Sequence, residues 1–204
     1  MLAKSVNTCD NVEMTPEQIT FESFRVESLM EYSGLSDYVG LLEGIGEETL
    51  TEQFKRHFTF FYRVRRPEAW LSRYYDLLEE VRREDNPTFG SVLRRVDSFS
   101  DGRVEMSFSS KLLAIVRPEL PIWDSQVRKT LGLRELSSSQ SADLSTRERE
   151  AEDRYSELCG ICDGLLRNPM VKREIEKFRS ALPERARKVS DMKLLDCFTW
   201  KAGK

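Results

Sequence analysis

The chain has 204 residues, with 32 lysines and arginines against 35 aspartates and glutamates, a net charge of −3 and one histidine. This near-balanced, slightly acidic charge gives no global field to attract DNA, and a lone histidine (His57) argues against histidine triads and multi-histidine metal sites. A mean hydropathy of −0.52 with one third of residues charged suits a helix-rich chain in water. No apolar run approaches the roughly 18 residues that cross a bilayer, and the opening MLAKSVNTCDN lacks the apolar stretch of a signal peptide. The expectation is a cytoplasmic protein without a membrane partner, its four cysteines free thiols.

Residues 1–14 are polar and unpatterned and read as a loose tail. Residues 15–204 are enough to bury one sizeable core, as a single domain or two packed lobes. Thr15-Pro16-Glu17-Gln18 is a strong helix start, and Ile19, Phe21, Phe24, Val26 and Leu29 carry a helical stripe to Tyr32. Ser36 predicts a cap for a short helix to Leu42, broken by Gly44 and Gly46. Residues 47–64 predict a long amphipathic helix with Leu50, Phe54, Phe58 and Phe61 in register. Between Phe54 and Arg66 there is no acid, while Lys55, Arg56, Arg63, Arg65 and Arg66 supply five positive charges. Basic residues interleaved with aromatics can hold nucleic acid through phosphate contacts and base stacking. Core aromatics behind a solvated charged face make the same pattern. Pro67 opens a helix through Val81, and Thr88 caps one through Val96; residues 98–105, with Asp101-Gly102, form the turn that follows.

The stretch MSFSSKLLAIVRPELPIWDSQVRKTLGL, residues 106–133, reads as helix, proline-bounded connector, helix. Ser107 is the expected cap of a helix with Phe108, Leu112, Leu113, Ile115 and Val116 as its apolar positions. Arg117 ends it, because the residue before Pro118 is pushed out of the α region. Asp124 is the expected cap of a helix over 125–131 that Gly132 closes. Lys111 and Asp124 are thereby directed toward one connector. An amine and a carboxylate converging in this way is what imine-forming base excision needs, and Trp123 could line a pocket for an unstacked base. Packing alone accounts for the same residues as a lysine at the core edge, a helix cap and a core tryptophan.

This segment resembles the catalytic segment of the helix-hairpin-helix DNA glycosylases: SSKLLAIV is similar to their lysine-bearing helix and PIWDSQV to the turn whose aspartate caps the next one. The resemblance implies a compact, all-α, multi-helix domain with the hairpin at 88–133. It also implies Lys111 as amine nucleophile, Asp124 as the carboxylate assisting base departure, and DNA as partner. Where the family carries a Gly-x-Gly that holds a phosphate, this chain has Ser107-Phe108-Ser109, so phosphate contacts would fall to Ser107, Ser109 and Ser110 together with Lys55, Arg56, Arg63 and Arg66. The four closely spaced cysteines of the iron–sulfur form are absent, and no cofactor or metal is expected. The SFSSK…P…PIWD segment and the closing KLLDCFTW also resemble a group of bacterial proteins of unassigned activity.

Beyond the polar 137–141 stretch, helical pattern resumes near Thr146 with Tyr155, Leu158, Ile161, Cys162 and Leu165, and Asn168-Pro169 ends it. Val171, Ile175 and Phe178 mark a helix over 170–182, and Met192, Leu195, Phe198 and Trp200 mark the last, over 188–200. Cys159-Gly160-Ile161-Cys162 lies within a helical pattern rather than at an exposed helix start, and zinc would need two further ligands. A second basic cluster, Lys172, Arg173, Lys177, Arg179, Arg185, Arg187 and Lys188, could share a phosphate-binding rim with the first. The fold expectation is all-α with nine or ten helices, the last packing back on the first. Three functions fit this sequence: a base-excising or abasic-site enzyme, a glycosylase-like scaffold that binds nucleic acid without catalysis, and a helical protein-interaction or defence module.

Overall fold

A computed structural model describes residues 34–137 and 143–202. The described residues form α1 (Gly34–Ile45), α2 (Glu52–Phe61), α3 (Glu68–Val81), α4 (Phe89–Asp97), α5 (Met106–Val116), α6 (Ser125–Thr130), α7 (Leu144–Arg167), α8 (Pro169–Ala181), a 3-10 turn (Glu184–Lys188) and α9 (Asp191–Ala202), with no strand among them. The described residues are all-helical, as their periodicity predicts. The expected helix over 15–32, the tail at 1–14 and most of the 137–141 loop lie outside the described residues.

Local chemistry sets most boundaries. Thr88, Asp124, Asp143 and Asn168 each accept a backbone N–H from the first turn they precede, which satisfies one of the donors a helix start leaves unpaired. Pro67 precedes α3 and Pro169 opens α8, as a fixed φ permits. Three expectations are corrected. The helix predicted over 47–64 begins at Glu52, because Thr51 takes the cap position and accepts from the Phe54 N–H at 3.1 Å. The helix bearing Lys111 begins at Met106, so Ser107 lies inside it and the cap position falls to Glu105, without a side-chain bond. Gly44 does not break α1: a Cβ there would stand 2.7 Å from the Phe54 ring, so the glycine is what lets α1 and α2 approach.

One apolar cluster runs from Leu35 to Phe198. At its centre Phe58, fully buried, meets the rings of Tyr62, Tyr74 and Tyr75. Phe89 of α4 stacks on Tyr155 of α7 at 3.9 Å between centroids. Leu112, Leu113 and Ile115 anchor α5, each worth about 1.5–3 kcal/mol on full burial. α9 packs against α6, α7 and α8, and the 3-10 turn packs against α1, so the chain's last elements meet its first described one. The proline connector between α5 and α6 is held from two sides. The Tyr155 hydroxyl donates to the Pro121 carbonyl at 2.8 Å and the Ser190 hydroxyl donates to the Pro118 carbonyl at 2.6 Å. Thr130, at the end of α6, donates to the Thr199 carbonyl of α9 at 2.7 Å. Among the described residues no helix is long and apolar enough to cross a membrane.

Candidate functional site

The connector, α5, the end of α2 and α9 enclose a half-open pocket of about 110 Å³ whose polar lining includes Lys111, Asp124, Lys193 and Asp196. Each side chain is there for a local reason. α2 ends at Phe61, and Arg63, with φ +52°, turns the chain so that the Tyr62 carbonyl faces α5. Lys111 lies one turn after Phe108 on α5; its Nζ donates to that carbonyl at 3.4 Å and lies 5.6 Å from the Phe108 ring centre. Asp124 enters at the start of α6, its Oδ1 accepting the Gln126 N–H at 2.8 Å. Lys193, Asp196, Cys197 and Trp200 all line the pocket and fall at i, i+3, i+4 and i+7, one stripe of α9.

Burial sets the electrostatics. Desolvation holds the Lys111 amine below the usual lysine range, and the charge of Lys193 pushes the same way, while Asp124 opposes them. Desolvation raises Asp196 to about 7; Lys193 and a bond from the Ile122 N–H resist this and Asp124 adds to it. The buried Cys197 thiol is pushed up to about 12 by desolvation, so it is not a nucleophile at neutral pH. The Lys193 ammonium, itself buried, lies 4.5, 5.4 and 5.7 Å from the ring centres of Tyr38, Phe61 and Tyr62.

The structure brings Lys111, Asp124 and Arg63 together and separates the other predicted residues from them. Trp123 is buried in the core and does not line the pocket; the aromatic walls are Phe61, Tyr62 and Trp200. The Trp123 N–H donates to Ser110 Oγ at 2.9 Å, and that hydroxyl donates to the Ser107 carbonyl at 3.2 Å. Ser109, also fully buried, donates to the Glu105 carbonyl at 2.9 Å. The hydroxyls of Ser109 and Ser110 therefore hold helix and turn together rather than meeting solvent, and Ser107 is half-buried. Arg66 pairs with Glu105 and lies over the Trp70 and Phe108 rings, Lys55 pairs with Glu52 at 2.7 Å, and Arg56 is exposed. In the late basic cluster Lys177 pairs with Glu174, Arg179 with Asp191 and Arg185 with Glu43.

Cys159 and Cys162 sit within α7, and burial raises both thiols, Cys159 to about 11 and Cys162 further. Among the described residues no three histidine, cysteine or acidic side chains come together as a metal would need. Lys193 and Asp196 are the residues that helical periodicity did not single out. A readable signal existed: KLLDCFT is otherwise nearly all apolar, and a helix apolar on every side is a buried one. Its charged members are then buried with it. Compared with known proteins, the chain matches no family model, no curated protein and no solved structure.

Proposed function

We propose that this is a DNA glycosylase-like, nucleic-acid-processing protein whose pocket carries out amine chemistry on a base-free or base-bearing sugar, with Lys111 as nucleophile and Asp124 as its carboxylate partner. One observation supports this above the rest: a desolvated lysine and a carboxylate line the same small pocket. A lysine nucleophile must be unprotonated, and desolvation favours that form. On an abasic site, the Lys111 lone pair attacks the sugar aldehyde carbon and the carbonyl π pair moves to oxygen, which takes a proton. The carbinolamine then loses its oxygen as water, leaving an iminium. On an intact nucleotide, attack at the anomeric carbon breaks the bond to the base, which leaves with that electron pair and is protonated. Asp124, as a carboxylate, balances the positive charge that develops on the sugar and then takes the proton that the newly bonded Lys111 nitrogen releases. The pocket is smaller than the roughly 300–1,000 Å³ of small-molecule sites, so it suits a sugar edge entering from an extruded nucleotide.

The test is borohydride trapping on duplex DNA carrying an abasic site. Wild type is expected to give a covalent adduct and Lys111→Gln none, with the thermal midpoint little changed. No adduct from wild type removes the imine reading. The alternative is a non-catalytic protein-interaction or defence module. It is favoured by Phe60, which is 79% exposed near the end of α2, and by the pairing of Arg66 with Glu105 and of Arg185 with Glu43. It predicts no salt-dependent affinity for DNA.

A further inference from the structure

We propose that the groove between α3 and the α4–α5 turn seats the next nucleotide of the strand whose sugar enters the Lys111 pocket: Arg73 and Arg103 hold its phosphate, and the Phe99 ring stacks on its base. The inference rests on the nucleic-acid reading above for its occupant and uses none of the chemistry of Lys111. It assigns a binding site to residues outside the pocket and makes the ligand a strand rather than a single nucleotide.

The groove has a volume of about 510 Å³, within the roughly 300–1,000 Å³ of small-molecule sites. Arg66, Arg73 and Arg103 line it together with Trp70 and Phe99. Two carboxylates, Asp101 and Glu105, line it also. Glu105 is spent on Arg66 in a largely buried pair. Asp101 is there for the backbone: its φ is +52°, and aspartate is one of the few residues that tolerate the left-handed region. Arg73 and Arg103 are exposed, and among the described residues neither has a carboxylate within ion-pair distance. Elsewhere on the surface Arg83, Arg94, Arg117 and Arg185 are each paired. Two guanidinium groups left unneutralised at one groove, in a chain of net charge −3, suit a phosphate, whose oxygens match their forked N–H donors.

The aromatic wall is already ordered. Phe99, half-buried, meets the Trp70 ring at 5.4 Å and 66°, and Trp70 stacks on Tyr74 at 4.9 Å between centroids. The Trp70 indole N–H is donated to Ser100 at 2.9 Å, so this wall offers a ligand ring surface rather than polar contacts. A base that stacks on a fixed ring immobilises little else. Groove and pocket are neighbours. The Arg66 guanidinium lies 4.9 Å from the Phe108 ring centre and the Lys111 Nζ 5.6 Å from the same centre, so both cations stand against one ring. Arg63, three residues before Arg66 in the same loop, lines the Lys111 pocket, and Arg65 between them is exposed. Successive nucleotides of one strand can therefore occupy both places.

The experiment measures, by fluorescence anisotropy, binding of a short single-stranded DNA carrying one tetrahydrofuran abasic analogue, which has no aldehyde and cannot form an imine. It is run between about 50 and 200 mM salt. Arg73→Gln and Arg103→Gln, both at exposed positions, should each weaken binding by about five- to tenfold. Each should also make the slope of log affinity against log salt shallower by about 0.7. Phe99→Leu, which keeps the apolar bulk, should weaken binding by about fivefold and leave that slope unchanged. Arg173→Gln, at an exposed position on α8, should change neither. No binding by wild type, or an Arg173→Gln loss equal to that of Arg73→Gln, would overturn the proposal, as would full affinity in Phe99→Leu. If Phe99→Leu does not fold, the arginine variants decide against Arg173→Gln. Arginine-dependent binding without a borohydride adduct on a natural abasic site sustains the groove and removes the imine reading alone. An adduct whose yield is unmoved by Arg73→Gln and Arg103→Gln combined does the reverse.

Discussion

Among the described residues two aspartates are raised to about 7 by burial, Asp196 lining the pocket and Asp97 at the C-terminal end of α4, where the turn to α5 begins, and their surroundings differ. Asp196 faces the Lys193 cation and accepts the Ile122 N–H. Asp97 accepts the Glu105 N–H at 2.9 Å, but its second oxygen has no hydrogen-bond partner among the described residues, and Glu148 and Glu105 add negative charge that Arg147 only partly offsets. Each region also buries a serine. Ser110 accepts the Trp123 N–H and so fixes the connector to α5; Ser100 accepts the Trp70 indole N–H at 2.9 Å and donates to the Val96 carbonyl at 2.7 Å. The comparison shows that a displaced carboxyl pKa does not by itself mark a site. In the turn it marks a carboxyl that burial leaves poorly compensated. In the pocket it belongs to a cluster of opposite charges open to an incoming group, the setting in which a perturbed carboxyl can serve chemistry.

The largest effect that would break the comparison lies in the pocket. Lys193→Met should cost about 3 kcal/mol at pH 9, where Asp196 is left as an uncompensated buried charge. The cost should shrink at pH 6, where Asp196 is protonated, and adding Asp196→Asn should restore most of it in a double-mutant cycle by chemical denaturation. Ser110→Ala and Ser100→Ala should each cost about 1–3 kcal/mol, since each strands a buried N–H donor. Only Ser110→Ala should also weaken borohydride trapping, because only it frees the turn that carries Asp124.

Asp97→Asn should stabilise the protein at pH 8 by on the order of 1–2 kcal/mol, since the amide oxygen can still accept from Glu105 and its NH2 faces carboxylates. Both raised aspartates give the same pH trend. Between their ordinary value near 3.8 and about 7 the folded chain holds protons that the unfolded chain has released, so their contribution to stability falls as pH rises through that window and levels off above it. Urea unfolding from pH 4 to 8 should show that slope, and Asp97→Asn should flatten it. A slope unaffected by Asp97→Asn would mean that the turn carboxyl is not protonated in the fold. The smallest effect belongs to the surface: Arg94→Ala, which removes an exposed pair between α4 and Glu152 of α7, should change stability by less than about 0.5 kcal/mol.

The sequence by itself determined that the described chain is helical, where several of its helices start, and much of the central segment. Thr88, Asp124 and Pro67 mark helix starts through short-range hydrogen bonding and a fixed φ, and neither needs the rest of the chain. The placement of Lys111 and Asp124 about one connector was also legible, because a helix, two prolines and a cap leave the chain little freedom. Longer-range features were not. Gly44 looks like a breaker until the Phe54 ring fills the space a side chain would take. Trp123 reads as a pocket wall until its N–H bonds Ser110 and its ring turns to the core. The basic residues at 55–66 read as one patch until Glu105 takes Arg66. Lys193 and Asp196, some seventy residues beyond Asp124 in sequence, enter the pocket only because α9 packs against α6. Hydrogen bonds within a turn of helix are written locally, whereas burial, and with it the charge state of every lysine and carboxylate in this pocket, depends on which distant surfaces meet.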